Sequence, residues 1–154
     1  MIRATFILTF LSTLLLAPAA GAMIQIDRAI SGARLNNTKA EVRAALGVPR
    51  KVIKREGEFG PTTEYRYRGG LRVLFLGRRV TLAGTTGLGD RTNRGVGVGS
   101  SEQAVRNRVP GVTCETFEGT RICSRGAEQP GERGTFFFIE DGRVARVDVA
   151  IVID

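Results

Sequence analysis

The sequence predicts an α+β fold: two tandem helix-plus-antiparallel-strand repeats sharing one antiparallel sheet, with short helices packed on one face. Three observations predict it. First, the chain repeats itself. A shift of 63 residues lays Gly32 on Gly95, Leu35 on Val98, Thr38 on Ser101, Val42 on Val105, Arg43 on Arg106 and Leu46 on Val109. A shift of 64 lays Phe75 on Ile139 and Arg79-Val80 on Arg143-Val144. Second, each copy opens on a capped helix signal and continues into strand-like runs broken by Gly turns. Third, each copy is too short to close a core alone. One domain is therefore expected over residues 23–154, with repeat 1 at about 24–84, a connection at about 85–94 and repeat 2 at about 95–154.

Residues 1–22 read as a secretory signal peptide. Arg3 gives a positive start, Phe6 to Ala17 is apolar apart from Thr9, Ser12 and Thr13, and Ala20-Gly21-Ala22 is a small-x-small cleavage site. The apolar run is short of the roughly 20 residues of a membrane helix, so no transmembrane helix is expected after cleavage.

Ile24 to Ile30 alternates imperfectly and reads as a short strand or lead-in, ended by Ser31-Gly32. Thr38 and Glu41 form a capping box that opens a helix over Lys39 to Leu46, stopped by Gly47 and Pro49. Three strands follow, Thr63–Arg68, Leu71–Leu76 and Arg79–Ala83. The first hairpin admits a two-residue loop, Gly69-Gly70, or a three-residue loop, Arg68-Gly69-Gly70. The longer loop pairs Tyr67 with Leu71, Tyr65 with Val73 and Arg66 with Arg72, which sorts apolar residues onto one face and is preferred. The Gly77-Arg78 turn then pairs Phe75 with Val80 and Val73 with Leu82. Glu56 and Glu58 flank Gly57 in an apparent loop.

In the second copy Ser100 or Ser101 caps a helix from about Glu102 to Val109, stopped by Pro110-Gly111. Val112–Phe117 and Thr120–Ser124 form a hairpin around Glu118-Gly119, which places Cys114 opposite Cys123 at a position where side chains approach closely. These two cysteines are expected to form a structural disulfide worth at most about 3 kcal/mol. Residues 126 to 134 read as a loop. The last hairpin, Thr135–Glu140 and Arg143–Ile153, turns at Asp141-Gly142. Its alternation puts Phe136, Phe138, Ala145, Val147 and Val149 on one face, and Phe137, Ile139, Val144, Arg146 and Asp148 on the other. The expected core is therefore the Tyr65/Val73/Phe75/Val80 and Phe136/Phe138/Val147/Val149 clusters.

The formal net charge is +8 and 20 of the 23 basic residues are Arg, so anionic surfaces outside the cell are an expected partner class. The arginines are spread rather than gathered into an arm, and nucleic acid is not expected. The chain has no His, which removes the commonest general base and metal ligand; no catalytic, cofactor-binding or metal residues are assigned. Gly95-Val96-Gly97-Val98-Gly99-Ser100 precedes a helix but lacks both nucleotide-loop patterns, and it reads as a lead-in shared with the first copy.

The segment from Gly32 through Leu35-Asn36-Asn37-Thr38-Lys39-Ala40-Glu41-Val42 to Leu46-Gly47-Val48-Pro49 resembles the G-h-t-x-x-x-V-x-x-x-L-G-x-P opening of the BamE-like (SmpA/OmlA) proteins. The tandem doubling is similar to the β-lactamase inhibitor protein family. The resemblance implies helices packed on one shared sheet, and a role in outer-membrane assembly or in enzyme inhibition. The expected function is an exported protein-binding module of the cell envelope or extracellular space, partnered by another extracytoplasmic protein. The alternatives are a peripheral protein held on anionic surfaces by charge, or a secreted enzyme inhibitor. Arg66, Arg72, Phe137 and Arg146 are the candidate partner contacts.

Overall fold

The computed structural model describes residues 23–126 and 129–153. The signal-peptide reading of residues 1–22 lies outside them. In chain order the elements are β1 (Ile24–Gln25), β2 (Ala29–Ile30), β3 (Ala33–Arg34), α1 (Lys39–Leu46), β4 (Lys51–Gly57), β5 (Gly60–Arg66), β6 (Arg72–Leu76), β7 (Arg79–Thr85), α2 (Glu102–Arg108), β8 (Thr113–Phe117), β9 (Thr120–Gly126), β10 (Arg133–Glu140) and β11 (Arg143–Ile151). The first three strands form a small sheet. The other eight form one antiparallel sheet in the order β4-β5-β6-β7-β11-β10-β9-β8.

With 50% strand and 14% helix the fold is mostly β, which overturns the α+β expectation. The helices have only eight and seven residues. Much of the additional strand lies where the sequence shows no buried alternation. β4 is an edge strand, exposed along nearly its whole length and rich in charge, so its residues carry no apolar period. It ends at Gly57, and Glu58-Phe59 is the turn into β5, which corrects the loop assignment around Glu56 and Glu58. The lead-in before Ser31 likewise folds into paired strands.

Local signals act where expected. Thr38 Oγ1 accepts the Glu41 amide at 3.2 Å, and Glu41 Oε2 accepts the Thr38 amide at 2.7 Å. Ser101 caps α2. The first long hairpin adopts the three-residue connection, with Tyr65 opposite Val73 and Arg66 opposite Arg72. The Glu118-Gly119 hairpin sets Cys114 against Cys123, and the two are disulfide-bonded. Both turn residues have positive φ (46° and 79°), the condition for a tight hairpin turn that Gly relieves at one position.

Two bulges correct the predicted registers. Phe75 faces Val80, but Leu74 faces Leu82 and Val73 faces Ala83, leaving Thr81 as the extra residue. In the second copy Ile139 faces Val144, Phe138 faces Arg146 and Phe137 faces Val147, leaving Ala145 as the extra residue. Thr81 and Ala145 are 64 residues apart, so the bulge belongs to the repeat. Its cause is burial. Without it, Ile139 and Val144 share a face with Arg146 and Asp148. With it, Phe137, Ile139, Val144, Val147 and Val149 all turn inward and are buried. Each such side chain is worth about 1.5–3 kcal/mol, against about 1 kcal/mol for an interrupted ladder bond. Phe136 and Phe138 are consequently half-exposed on the other face, and Phe137 and Ile139 take their predicted place in the core.

The inner face carries Tyr65, Val73, Phe75, Val80 and Ala83 from the first copy and Phe137, Ile139, Val144, Val147 and Val149 from the second, and these form one core cluster with Val42 of α1, Val105 of α2 and Ile24, Ile30 and Ala33 of the small sheet. Each copy contributes a four-stranded meander, and β7 pairs with β11 to join them. The pairing runs Thr85–Val147, Gly84–Asp148 and Ala83–Val149. Under the 64-residue shift Gly84 corresponds to Asp148, so the approximate two-fold axis of the molecule passes between those two residues.

Glu102 fastens the start of α2 to β9. It accepts from Arg121 at 2.6 and 3.2 Å and from Arg106 at 2.8 and 3.0 Å. These hydrogen bonds hold its carboxyl at about 2, below the ordinary 4.5. A depressed folded-state value means the contribution is complete above pH 4.5 and is lost as pH falls toward 2. Glu102 is half-buried and its two arginines are partly exposed, so solvent screening keeps the effect on the order of 1 kcal/mol or less. Urea melts across that window should show the wild type losing more stability than Glu102→Gln; equal slopes would refute the role given to this carboxylate.

Candidate functional site

The sheet face opposite the helices is built by the alternate residues of the same strands. One row across the sheet runs Lys51, Arg66, Arg72, Gly84, Asp148, Phe136 and Ser124. Leu74 and Leu82 lie beside it on one side, and Arg146, Phe138 and Ile122 on the other. These flanking residues are all half-buried rather than covered.

The charges on this face are tied down. Arg66 and Arg72 are directly opposed, a like-charge contact that is unfavourable by itself. Each is neutralised from the side: Arg66 pairs with the largely buried Glu64, and Arg72 donates to Asp148 Oδ2 at 2.7 Å. Arg146 Nε lies 3.1 Å from the same Asp148 oxygen but off hydrogen-bonding alignment, and its guanidinium sits 3.6 Å over the centre of the Phe138 ring. Asp148 is 3% exposed. Burial pushes its carboxyl above the ordinary 3.8, with Arg72 and then Arg146 opposing that shift. Asp148 Oδ1, Arg72 Nε and Arg146 Nε are buried with no hydrogen-bond partner among the described residues.

Gly84 makes this arrangement fit. A Cβ there would stand 2.3 Å from Asp148 Oδ1 and 2.8 Å from Arg72 Nε. At the two-fold axis the two equivalent positions face each other, and only one of them can carry a side chain over the centre.

Of the four candidate contacts, the structure gathers Arg66, Arg72 and Arg146 on this face, with side chains 50%, 37% and 37% exposed. Phe137 is corrected: it is fully buried on the opposite face, and Phe136 and Phe138 stand in its place. The signal for this lies in the spacing of Val144, Val147 and Val149, where a step of three followed by a step of two marks a bulge.

Other motifs are absorbed structurally. In the Gly-rich lead-in to α2, the Gly97 amide donates to Ser100 Oγ, the Val96 amide to Thr92 Oγ1 and the Gly99 amide to the Val144 carbonyl. Glu102 lies near the sulfurs of Cys114 and Cys123, but these are bonded to each other and Glu102 is held by two arginines. Among the described residues no helix is long and apolar enough to cross a membrane.

No protein-family model matches the chain, and no curated protein matches it significantly. Solved structures do share its fold. An extracellular protein of Bacillus anthracis that contains an SCP domain superposes with a TM-score of 0.55 at 8% identity, covering 94% of this chain; the chain spans half (50%) of that protein's length. The uncharacterized protein YfeY of Escherichia coli superposes with a TM-score of 0.52 at 11% identity, covering 86% of this chain and 99% of its own. Neither is named for the BamE-like or β-lactamase inhibitor families. At these identities the likeness is one of fold.

A double-mutant cycle tests the centre of the face. Asp148→Ala, which leaves Arg72 and Arg146 without their acid, should cost about 3 kcal/mol in denaturant melts. Gly84→Ala should cost about 1–3 kcal/mol in the wild type and clearly less once Asp148 is Ala. Additive costs would show that Gly84 and Asp148 do not compete for one space.

Proposed function

We propose that this chain is a non-enzymatic protein-binding module that works outside the cytoplasm and uses the open sheet face to hold another protein. The observation that carries the reading is the centre of that face. Arg72 and Arg146 are fixed on one buried carboxylate, Arg146 is stacked on Phe138, and both side chains stay 37% exposed. Arginines already ordered lose little freedom on binding, and arginine beside aromatic and aliphatic surface is the composition of interface hot spots. A partner would present carboxylates flanked by apolar side chains.

The location outside the cytoplasm is supported by the Cys114–Cys123 disulfide, which persists in oxidising compartments, and by the signal-peptide pattern of residues 1–22. One of the structures of like fold is described as an extracellular protein. Envelope assembly and enzyme inhibition are both specific forms of this role, in keeping with the two families that the sequence resembles.

The test is capture from envelope extract with the wild-type chain and three variants. Arg66→Glu and Phe138→Ala should each weaken retention of the captured protein by about tenfold or more. Lys54→Ala, on the exposed edge strand, should leave it unchanged. A partner held equally by all three variants, or no specific partner at all, would contradict the reading.

A further inference from the structure

On the helix side of the sheet, away from the face just described, a cleft of about 720 Å³ opens between the β1–β2 turn, the loop at Thr92–Arg94, the end of α2 and strands β9 and β10. Five arginines line it: Arg28, Arg94, Arg108, Arg125 and Arg133. Among the described residues that line it, Asp27 is the only acid. Parts of its wall are apolar, from Ile24, Ile26, Val109 and Pro110.

The five arginines come from five separate parts of the chain, so no single basic run explains their meeting. Asp27 cannot neutralise them. It is fixed from behind by Thr135, whose hydroxyl accepts the Asp27 amide at 2.7 Å and donates to Asp27 Oδ1 at 2.8 Å. Thr135 is fully buried, and Asp27 itself adopts a positive φ of 58° to reach it. Its other oxygen lies 3.8 Å from Arg125. Among the described residues Arg28, Arg94, Arg108 and Arg133 pair with no carboxylate. The cleft therefore concentrates uncompensated positive charge in a concave, partly apolar setting, where a bound anion would be shielded from solvent on several sides.

We propose that this cleft binds a ligand carrying two or more phosphate groups. Five guanidinium groups against one carboxylate leave a formal excess of four positive charges, which two phosphate dianions balance. Tetrahedral phosphate offers several acceptor oxygens to donors arriving from different directions, and planar guanidinium groups pair with them two bonds at a time. The size of the cleft suits a small molecule or a lipid headgroup. The site is independent of the protein-binding face, and either can fail without the other.

The test is calorimetric titration of the signal-cleaved chain with inorganic tripolyphosphate at about 0.15 M salt, where diffuse attraction is screened. Saturable binding is expected, and Arg108→Gln with Arg133→Gln should weaken it about a hundredfold. Both side chains are exposed, and far-UV circular dichroism confirms that the pair still folds. Lys54→Gln with Arg55→Gln removes the same charge from the distant edge strand and should change binding less than about threefold. Vesicles containing phosphatidylinositol bisphosphate, whose headgroup carries more than one phosphate, identify the source: binding that needs Arg108 and Arg133 in both arms marks a lipid phosphate, and in the tripolyphosphate arm alone a soluble one. No saturable binding up to about 1 mM, equal weakening by both double variants, or equal affinity for citrate would overturn the proposal.

Discussion

Each four-stranded meander ends in a long strand whose outer edge has no partner within its own copy. β7 and β11 satisfy each other, and the rest of the molecule depends on that seam. It turns two small half-sheets, each an aggregation-prone open edge, into one eight-stranded sheet with a common core. An approximate two-fold axis also forces a local conflict, because equivalent residues must meet at the centre. Here the conflict is resolved by unlike residues: Gly84 on one strand leaves room for Asp148 on the other. Asp148 then draws Arg72 from the first copy and Arg146 from the second onto the same oxygen. The duplication thus becomes asymmetric at the one point where the halves meet themselves.

The two surfaces of interest follow from this arrangement in different ways. The inner face is consumed by the core, with the small sheet and both helices closing over it. The outer face keeps its polar ladder and its two half-exposed phenylalanines, because the bulges at Thr81 and Ala145 have already assigned the better apolar residues inward. The arginine cleft lies where the small sheet, the end of α2 and β9–β10 converge. A stretch of primary structure with evenly scattered arginines thereby acquires a strongly charged hollow that no local count of basic residues shows.

The sequence is legible where a few adjacent residues decide the geometry. Thr38 with Glu41, Gly47, Glu118-Gly119 and Asp141-Gly142 each specify a local conformation, and the structure contains each of them. The Cys114–Cys123 bond follows from one such turn. It is illegible where the deciding term is tertiary. β4 has no apolar period because it is an exposed edge, so only pairing with β5 makes it a strand. Phe137 and Phe138 look interchangeable until the bulge at Ala145, three residues past the Asp141-Gly142 turn, chooses between them. Arg66, Arg72 and Arg146 could be named from alternation, whereas Asp148 as their common anchor needs the pairing of β7 with β11.

The central claim is that both copies form one cooperative unit through the β7–β11 seam. Native-state amide hydrogen exchange measures it directly. The account predicts that the amides of β7 and β11 exchange only through global unfolding, with one free energy and one denaturant dependence shared by the cores of both copies. Exchange of β5–β7 through an opening that leaves β9–β11 protected would contradict it.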